Sequence, residues 1–138
     1  MKPEKVSFEI INEPPKGIYE RAAQKWGVSF EDTVFTVGNK IYAKYGVPLD
    51  LLAHELVHIQ QQKDFEGGHK AWWDRYFEDD KFRLEQEVEA YKVQCEYIKD
   101  IVKDRNQQNR YISNIAFVLS GKQYGNLIGY NEALRILK

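Results

Sequence analysis

His54-Glu55-Leu56-Val57-His58 places two imidazoles four residues apart, with a carboxylate beside the first. Positions four apart share one face of a helix. The surrounding run, Leu52, Ala53, Leu56, Val57 and Ile59, is uncharged and suits a helix. Two imidazoles aimed at one point from such a face suit a tetrahedral zinc ion, Zn2+. Glu55, next to the first of them, can reach a water on that metal and act as its general base. The plainer alternative, two ordinary histidines, gives Glu55 no reason to sit near the buried side of an apolar helix.

A catalytic zinc usually takes three protein ligands and keeps one open position. His69 is the only histidine left, and a flexible Gly67-Gly68-His69 can reach inward. The stronger source is the segment Arg83-Leu84-Glu85-Gln86-Glu87-Val88-Glu89-Ala90-Tyr91. It belongs to a helix expected from about Phe82 to Lys103, whose apolar series is Leu84, Val88, Tyr91, Cys95, Ile98 and Val102. With about 100° per residue, Glu87 falls roughly 60° from the centre of that face, Glu85 about 100° and Glu89 about 140°. Glu87 is thus the carboxylate that looks inward near a rim. It is the expected third ligand, with His69 second.

These residues resemble the gluzincin branch of zinc metallopeptidases, which joins H-E-x-x-H to a glutamate on a following helix. Glu87-Val88-Glu89-Ala90-Tyr91 matches the second motif, with Glu87 at the ligand position. The small size is similar to that of the minigluzincins, and the segments around Glu87 and Tyr124-Gly125-Asn126 are similar to small predicted metallopeptidases of phages and bacteria. The resemblance spans about Thr33 to Gln94. It implies a zincin-like single domain and a zinc endopeptidase acting on peptide or protein substrates. It also implies an extended substrate pairing with a strand edge of the Thr33–Tyr45 hairpin, and a Tyr, His or Arg that stabilises the oxyanion. His69, Tyr76, Tyr124 and Tyr130 are the candidates for that donor. Tyr91 departs from the family, which has Asp or Asn there to orient a ligand histidine. As a member of the apolar series it reads first as packing, and second as a hydrogen-bonding partner.

Other elements must position these groups. Val6-Ser7-Phe8-Glu9-Ile10 alternates like a half-buried strand, and Ile18 to Trp26 reads as a helix capped by Gly27. Thr33–Val37 and Lys40–Tyr45 form a hairpin around Gly38-Asn39. The histidine helix runs from Pro48 or Leu49 to Gln62, with Gln60-Gln61-Gln62 as its exposed end. Trp72, Trp73, Tyr76 and Phe77 form an aromatic segment, read mainly as core. The two tryptophans point different ways on a helix, which leaves one of them toward solvent. Glu78-Asp79-Asp80-Lys81 reads as a solvated turn, Arg105 to Asn109 as a polar connection and Tyr111 to Leu119 as a helix. Asn131 is expected to cap a last helix to Lys138. Gly121, Gly125 and Gly129 leave two readings for the end of the chain, ordinary packing or a mobile cover over the cleft. The fold class is α+β, in one domain over residues 1–138.

With 138 residues, 43% hydrophobic and 30% charged, the chain fits one soluble globular domain. A net charge of −1 offers no general attraction for nucleic acid or anionic membrane. Lys99, Lys103, Arg105 and Arg110 are too sparse to change that. The single cysteine, Cys95, reads as a small core residue and fits a reducing compartment. With neither a signal-peptide core nor a membrane-length apolar stretch, the expected place is the cytoplasm, or a particle assembled there. Two alternatives to a peptidase stand: an inactive zinc-binding module of the same fold, and a metal-free interaction protein.

Overall fold

A computed structural model describes residues 7–138. Its elements are strand β1 (Glu9–Ile11), helix α1 (Ile18–Trp26), strands β2 (Phe35–Val37) and β3 (Lys40–Tyr42), and helices α2 (Leu49–Asp64), α3 (Gly68–Glu78), α4 (Asp80–Ile101), α5 (Arg105–Leu119) and α6 (Tyr130–Leu137). A 3-10 turn, Lys122–Tyr124, joins the last two helices. The class is α+β. Val6 lies outside the described residues, and the strand expected there occupies Glu9–Ile11.

The sheet order is β1-β3-β2, with β1 parallel to β3 and the β2–β3 hairpin antiparallel. The hairpin turns at Gly38-Asn39, between the paired residues Val37 and Lys40. This order leaves β2 at the sheet edge next to α2, where one of its carbonyls and the turn amide just after it are already paired. Gln62 accepts from the Gly38 amide at 2.8 Å and donates to the Thr36 carbonyl at 2.7 Å. The Trp73 indole donates to the same carbonyl at 2.9 Å. The glutamine run is therefore not simply an exposed helix end: Gln62 is 1% exposed and ties α2 to the sheet. Both Trp72 and Trp73 are buried, because each indole N–H finds an acceptor, Gln86 Oε1 for Trp72 and Thr36 O for Trp73.

Two apolar clusters flank the middle of the chain. Ala22, Phe35, Trp72, Trp73, Tyr76, Phe77 and Phe82 form one. Leu84, Cys95, Ile98, Ile112, Ala116, Leu119, Tyr124, Ala133 and Leu137 belong to the other. α4 contributes to both, and α2 lies along it. The Asp79 side chain starts α4 by accepting from the Phe82 amide, two residues earlier than the apolar series indicates. Arg105 to Asn109 is helical rather than a connection, since the Asp104 side chain accepts from the Asn106 amide and starts α5 there. The last helix begins at Tyr130 with Gly129 at its cap position, so Asn131 lies within it.

The chain end is packed in place. Tyr124, Ala133 and Leu137 are buried, and Arg83, 1% exposed, donates from Nε to the Gln123 carbonyl at 2.8 Å. Gly125 has φ +79, and a Cβ there would meet Asp80 at 2.8 Å, so glycine lets this turn close on α4. No helix of the described residues is long and apolar enough to cross a membrane.

Gln62→Leu removes both hydrogen bonds to the sheet edge and leaves the Gly38 amide short of an acceptor. We expect it to lower unfolding free energy by about 1–3 kcal/mol in urea titrations. Leucine at Gln60, which points outward to Asp64, is expected to change stability by no more than about 0.5 kcal/mol.

Candidate metal centre

α2 buries His54, Glu55, His58, Ile59 and Gln62. Four of these five are polar, so this helix face needs partners rather than an apolar neighbour. α4 supplies one of them. Glu87 is 5% exposed, whereas Glu85 and Glu89 are exposed, as the angular argument requires. His54 Nε2 lies 3.1 Å from His58 Nε2 and 3.1 Å from Glu87 Oε1, and His58 Nε2 lies 3.2 Å from Glu87 Oε2. Three donor groups thus converge on one point.

The buried group of His54, Glu55 and His58 can hold a metal ion, its donor atoms lying within 4.8 Å of one another. Two carboxylates compete for the third position. Glu55 Oε2 is 3.8 Å from His54 Nε2, and its Oε1 accepts from the Thr36 hydroxyl at 2.8 Å. Glu87 is nearer to both imidazoles and spans them. The geometry therefore separates the two: Glu87 sits among the imidazole nitrogens, and Glu55 stands beside them on the hairpin side.

The proton positions on His58 follow from its neighbours. Gln61 donates through Nε2 to the Gln86 carbonyl at 3.0 Å and to Glu89 Oε1 at 3.1 Å. Its Oε1 is then the acceptor for His58 Nδ1–H, at 2.8 Å. A neutral His58 must present a bare Nε2 lone pair toward the Glu87 carboxylate. That pairing is repulsive unless a proton or a metal ion lies between them. The Tyr76 hydroxyl donates at 2.6 Å to Glu87 Oε2, the oxygen that also faces His58.

Without a metal, a proton fills the role. Burial works against the charged form of His58, but the charge and hydrogen bond of Glu87 outweigh it and raise its pKa to about 9. Burial likewise opposes ionisation of Glu87, yet the imidazoles, His58 foremost, hold its carboxyl well below the ordinary range. Glu55 moves the other way. Burial raises its pKa, and the two histidines offset only part of that.

A cavity of about 260 Å³ opens over these groups. Trp26, Val28, Phe35, Val118, Gln123 and Tyr124 are among the residues that line it. Of the possible oxyanion donors, Tyr76 and Tyr124 line this cavity. His69 does not: it is exposed at the start of α3, against Gly38 of the hairpin turn, and is neither near the ligands nor near the cleft. Tyr130 is 40% exposed at the start of α6 and is also not part of the cavity lining. Tyr91 also lines the cavity, with its hydroxyl beside that of Tyr124. Its ring meets the His54 imidazole edge-on at 4.3 Å, while His54 Nδ1 is buried without a partner.

Sequence reading missed Thr36, Gln61 and Gln62. Thr36 appears as one more β-former, yet its hydroxyl holds Glu55. A signal for the two glutamines did exist: Gln61 and Gln62 follow His58 by three and four residues, on the same side of the helix. Compared with family models, curated proteins and solved structures, the chain matches none. The chemistry of the site rests on its own geometry.

The pKa directions give the metal-free protein a defined pH response. His58 titrates near 6.5 when unfolded and near 9 when folded, so its contribution is full below about 6.5 and is lost as pH rises through 9. Raised Glu55 acts in the same sense, its contribution being lost as pH rises through its folded pKa. Depressed Glu87 contributes above its unfolded value near 4.5, and that is lost as pH falls through its folded pKa. Thermal unfolding in chelator should therefore show stability falling from pH 6.5 to 9, a decline that His58→Gln flattens.

Proposed function

We propose that the chain is a zincin-like zinc endopeptidase, with His54, His58 and Glu87 as ligands and Glu55 as general base. The observation that carries this reading is the approach of His54 Nε2 and His58 Nε2 to 3.1 Å with the Glu87 carboxylate spanning them, Oε1 3.1 Å from the first and Oε2 3.2 Å from the second. Tetrahedral zinc with bonds of about 2.0–2.1 Å sets its ligand atoms about 3.3 Å apart, so the three groups fit the ion with little movement. Two imidazoles and one carboxylate are also a donor set that zinc takes in hydrolytic sites. A zinc ion held there would polarise a carbonyl and would lower the pKa of its bound water towards about 7.

The chain's own residues supply the rest. Glu55, oriented by the Thr36 hydroxyl, takes the water proton and returns it to the leaving amine. A carboxyl whose pKa is raised by burial is suited to both halves of that transfer. Tyr124, buried in the cavity wall and kept protonated by that burial, is the candidate donor to the developing oxyanion. Tyr76 is less suited, because its hydroxyl is committed to Glu87. The apolar wall formed by Trp26, Val28 and Phe35 favours a peptide with an apolar side chain beside the scissile bond. With Thr36 O and Gly38 N already engaged, an extended substrate pairs with the hairpin edge nearer Val34.

The departure at Tyr91 favours one second reading, a zinc-binding module without hydrolytic activity, since it leaves His54 Nδ1 unpartnered. Two variants separate these readings from each other and from a metal-free protein. Glu55→Gln is expected to keep stoichiometric zinc and to lower peptide hydrolysis by about 10²–10⁴-fold. Glu87→Ala is expected to lose zinc in elemental analysis. Undiminished turnover in Glu55→Gln removes it as the base. Zinc-loaded wild type that cleaves no peptide in a broad library favours the binding module.

A further inference from the structure

Among the described residues, two buried side-chain atoms lack a hydrogen-bond partner, His54 Nδ1 and Gln94 Oε1. One belongs to the histidine helix and the other to the glutamate helix. His54 is 3% exposed and Gln94 7%. An unmatched buried polar group is costly, so two of them in one region call for an explanation.

Their chemistry is complementary. With Nε2 turned to the ligand cluster, His54 carries its ring proton on Nδ1 and needs an acceptor. Gln94 has its amide sense fixed by Asp50: the carboxylate only accepts, so Nε2 donates to Asp50 Oδ2 at 3.0 Å and Oε1 faces away. Gln94 is left with a spare acceptor.

The helices bring the two together. Side chains on a helix lean toward its N-terminus, so the His54 ring lies over the turn that carries Asp50, four residues earlier. Gln94 is bonded to that turn. Three residues before Gln94, Tyr91 touches the His54 ring at 4.3 Å. Gln94 therefore stands on α4 one turn beyond the residue in contact with His54, on the same side of the helix.

We propose that Gln94 is the positioning residue for His54. With neither atom bonded to the other in the structure, its Oε1 takes the Nδ1 proton through one trapped water, and Asp50 holds the amide in the required sense. The role of Asp or Asn four residues after the glutamate ligand then moves one helical turn on, past the tyrosine. Such a partner fixes the ring and its tautomer and strengthens the ligand nitrogen. The consequence for metal binding rests on the zinc reading above; the hydrogen bond itself does not.

The test uses ¹⁵N-histidine NMR on the full chain, metal-free and zinc-loaded, with zinc affinity from chelator competition. Wild type is expected to show a protonated, slowly exchanging His54 Nδ1 in both states. Gln94→Leu is expected to lose that protection and to weaken zinc binding about 10–100-fold. The pair Asp50→Asn with Gln94→Glu, which reverses the donor and acceptor between them and keeps an acceptor for His54, is expected to restore both. If Gln94→Leu does not fold, Gln94→Asn, one methylene too short, should show the same losses. The proposal is overturned by a folded Gln94→Leu or Gln94→Asn that exchanges like wild type, or by failure of the paired variant to restore protection. A wild type that binds no zinc defeats the hydrolase reading, while exchange in the metal-free protein still decides the role of Gln94.

Discussion

Two imidazole nitrogens and a carboxylate, all buried, face one another at 3.1 to 3.2 Å, and such an arrangement needs a proton or a metal ion between its members. Bare lone pairs at this spacing repel, and burial removes the water that would screen them. A proton shared between His58 and Glu87 meets the demand in part; a divalent ion meets it for all three groups. Much else in the fold serves to hold this arrangement. Gln61 fixes one imidazole, Tyr76 steadies the carboxylate, and Thr36 keeps Glu55 beside the cluster.

The supporting framework spreads from those contacts. α2 and α4 carry the two histidines and Glu87 on facing sides, and each is tied to a different part of the chain. Gln62 fastens α2 to the hairpin edge, which also places Thr36 against Glu55. Arg83, buried one turn before Glu87, donates to the Tyr76 carbonyl at 2.7 Å and to the Gln123 carbonyl at 2.8 Å. It joins α3, α4 and the chain end, and so holds the cavity wall bearing Tyr124. Apolar clusters on both sides keep α4 rigid between these ties.

Much of the buried polar cluster was legible because it follows helical periodicity. The spacing of His54 and His58 placed them on one face, and the angle of Glu87 from the apolar series separated it from Glu85 and Glu89. Gln62, Gln61 and Thr36 were not legible, because their roles exist only once the hairpin and α4 lie against α2. The polar stripe Arg83, Glu87, Gln94 was visible as spacing, but the apolar series beside it masked its meaning. Arg105 to Asn109 misled by composition: polar residues on an outward helical surface look the same as a loop until the Asp104 cap is weighed. Trp72 and Trp73 misled through geometry, since adjacent helical residues diverge, yet α3 is enclosed on both sides.

Zinc K-edge absorption spectroscopy on the native chain probes the central arrangement most directly. The account predicts one bound zinc with two imidazoles and carboxylate or water oxygens at about 2.0–2.1 Å, and loss of that spectrum when Glu87 is replaced. A chain that takes up no zinc, or a zinc environment without two imidazoles, contradicts it.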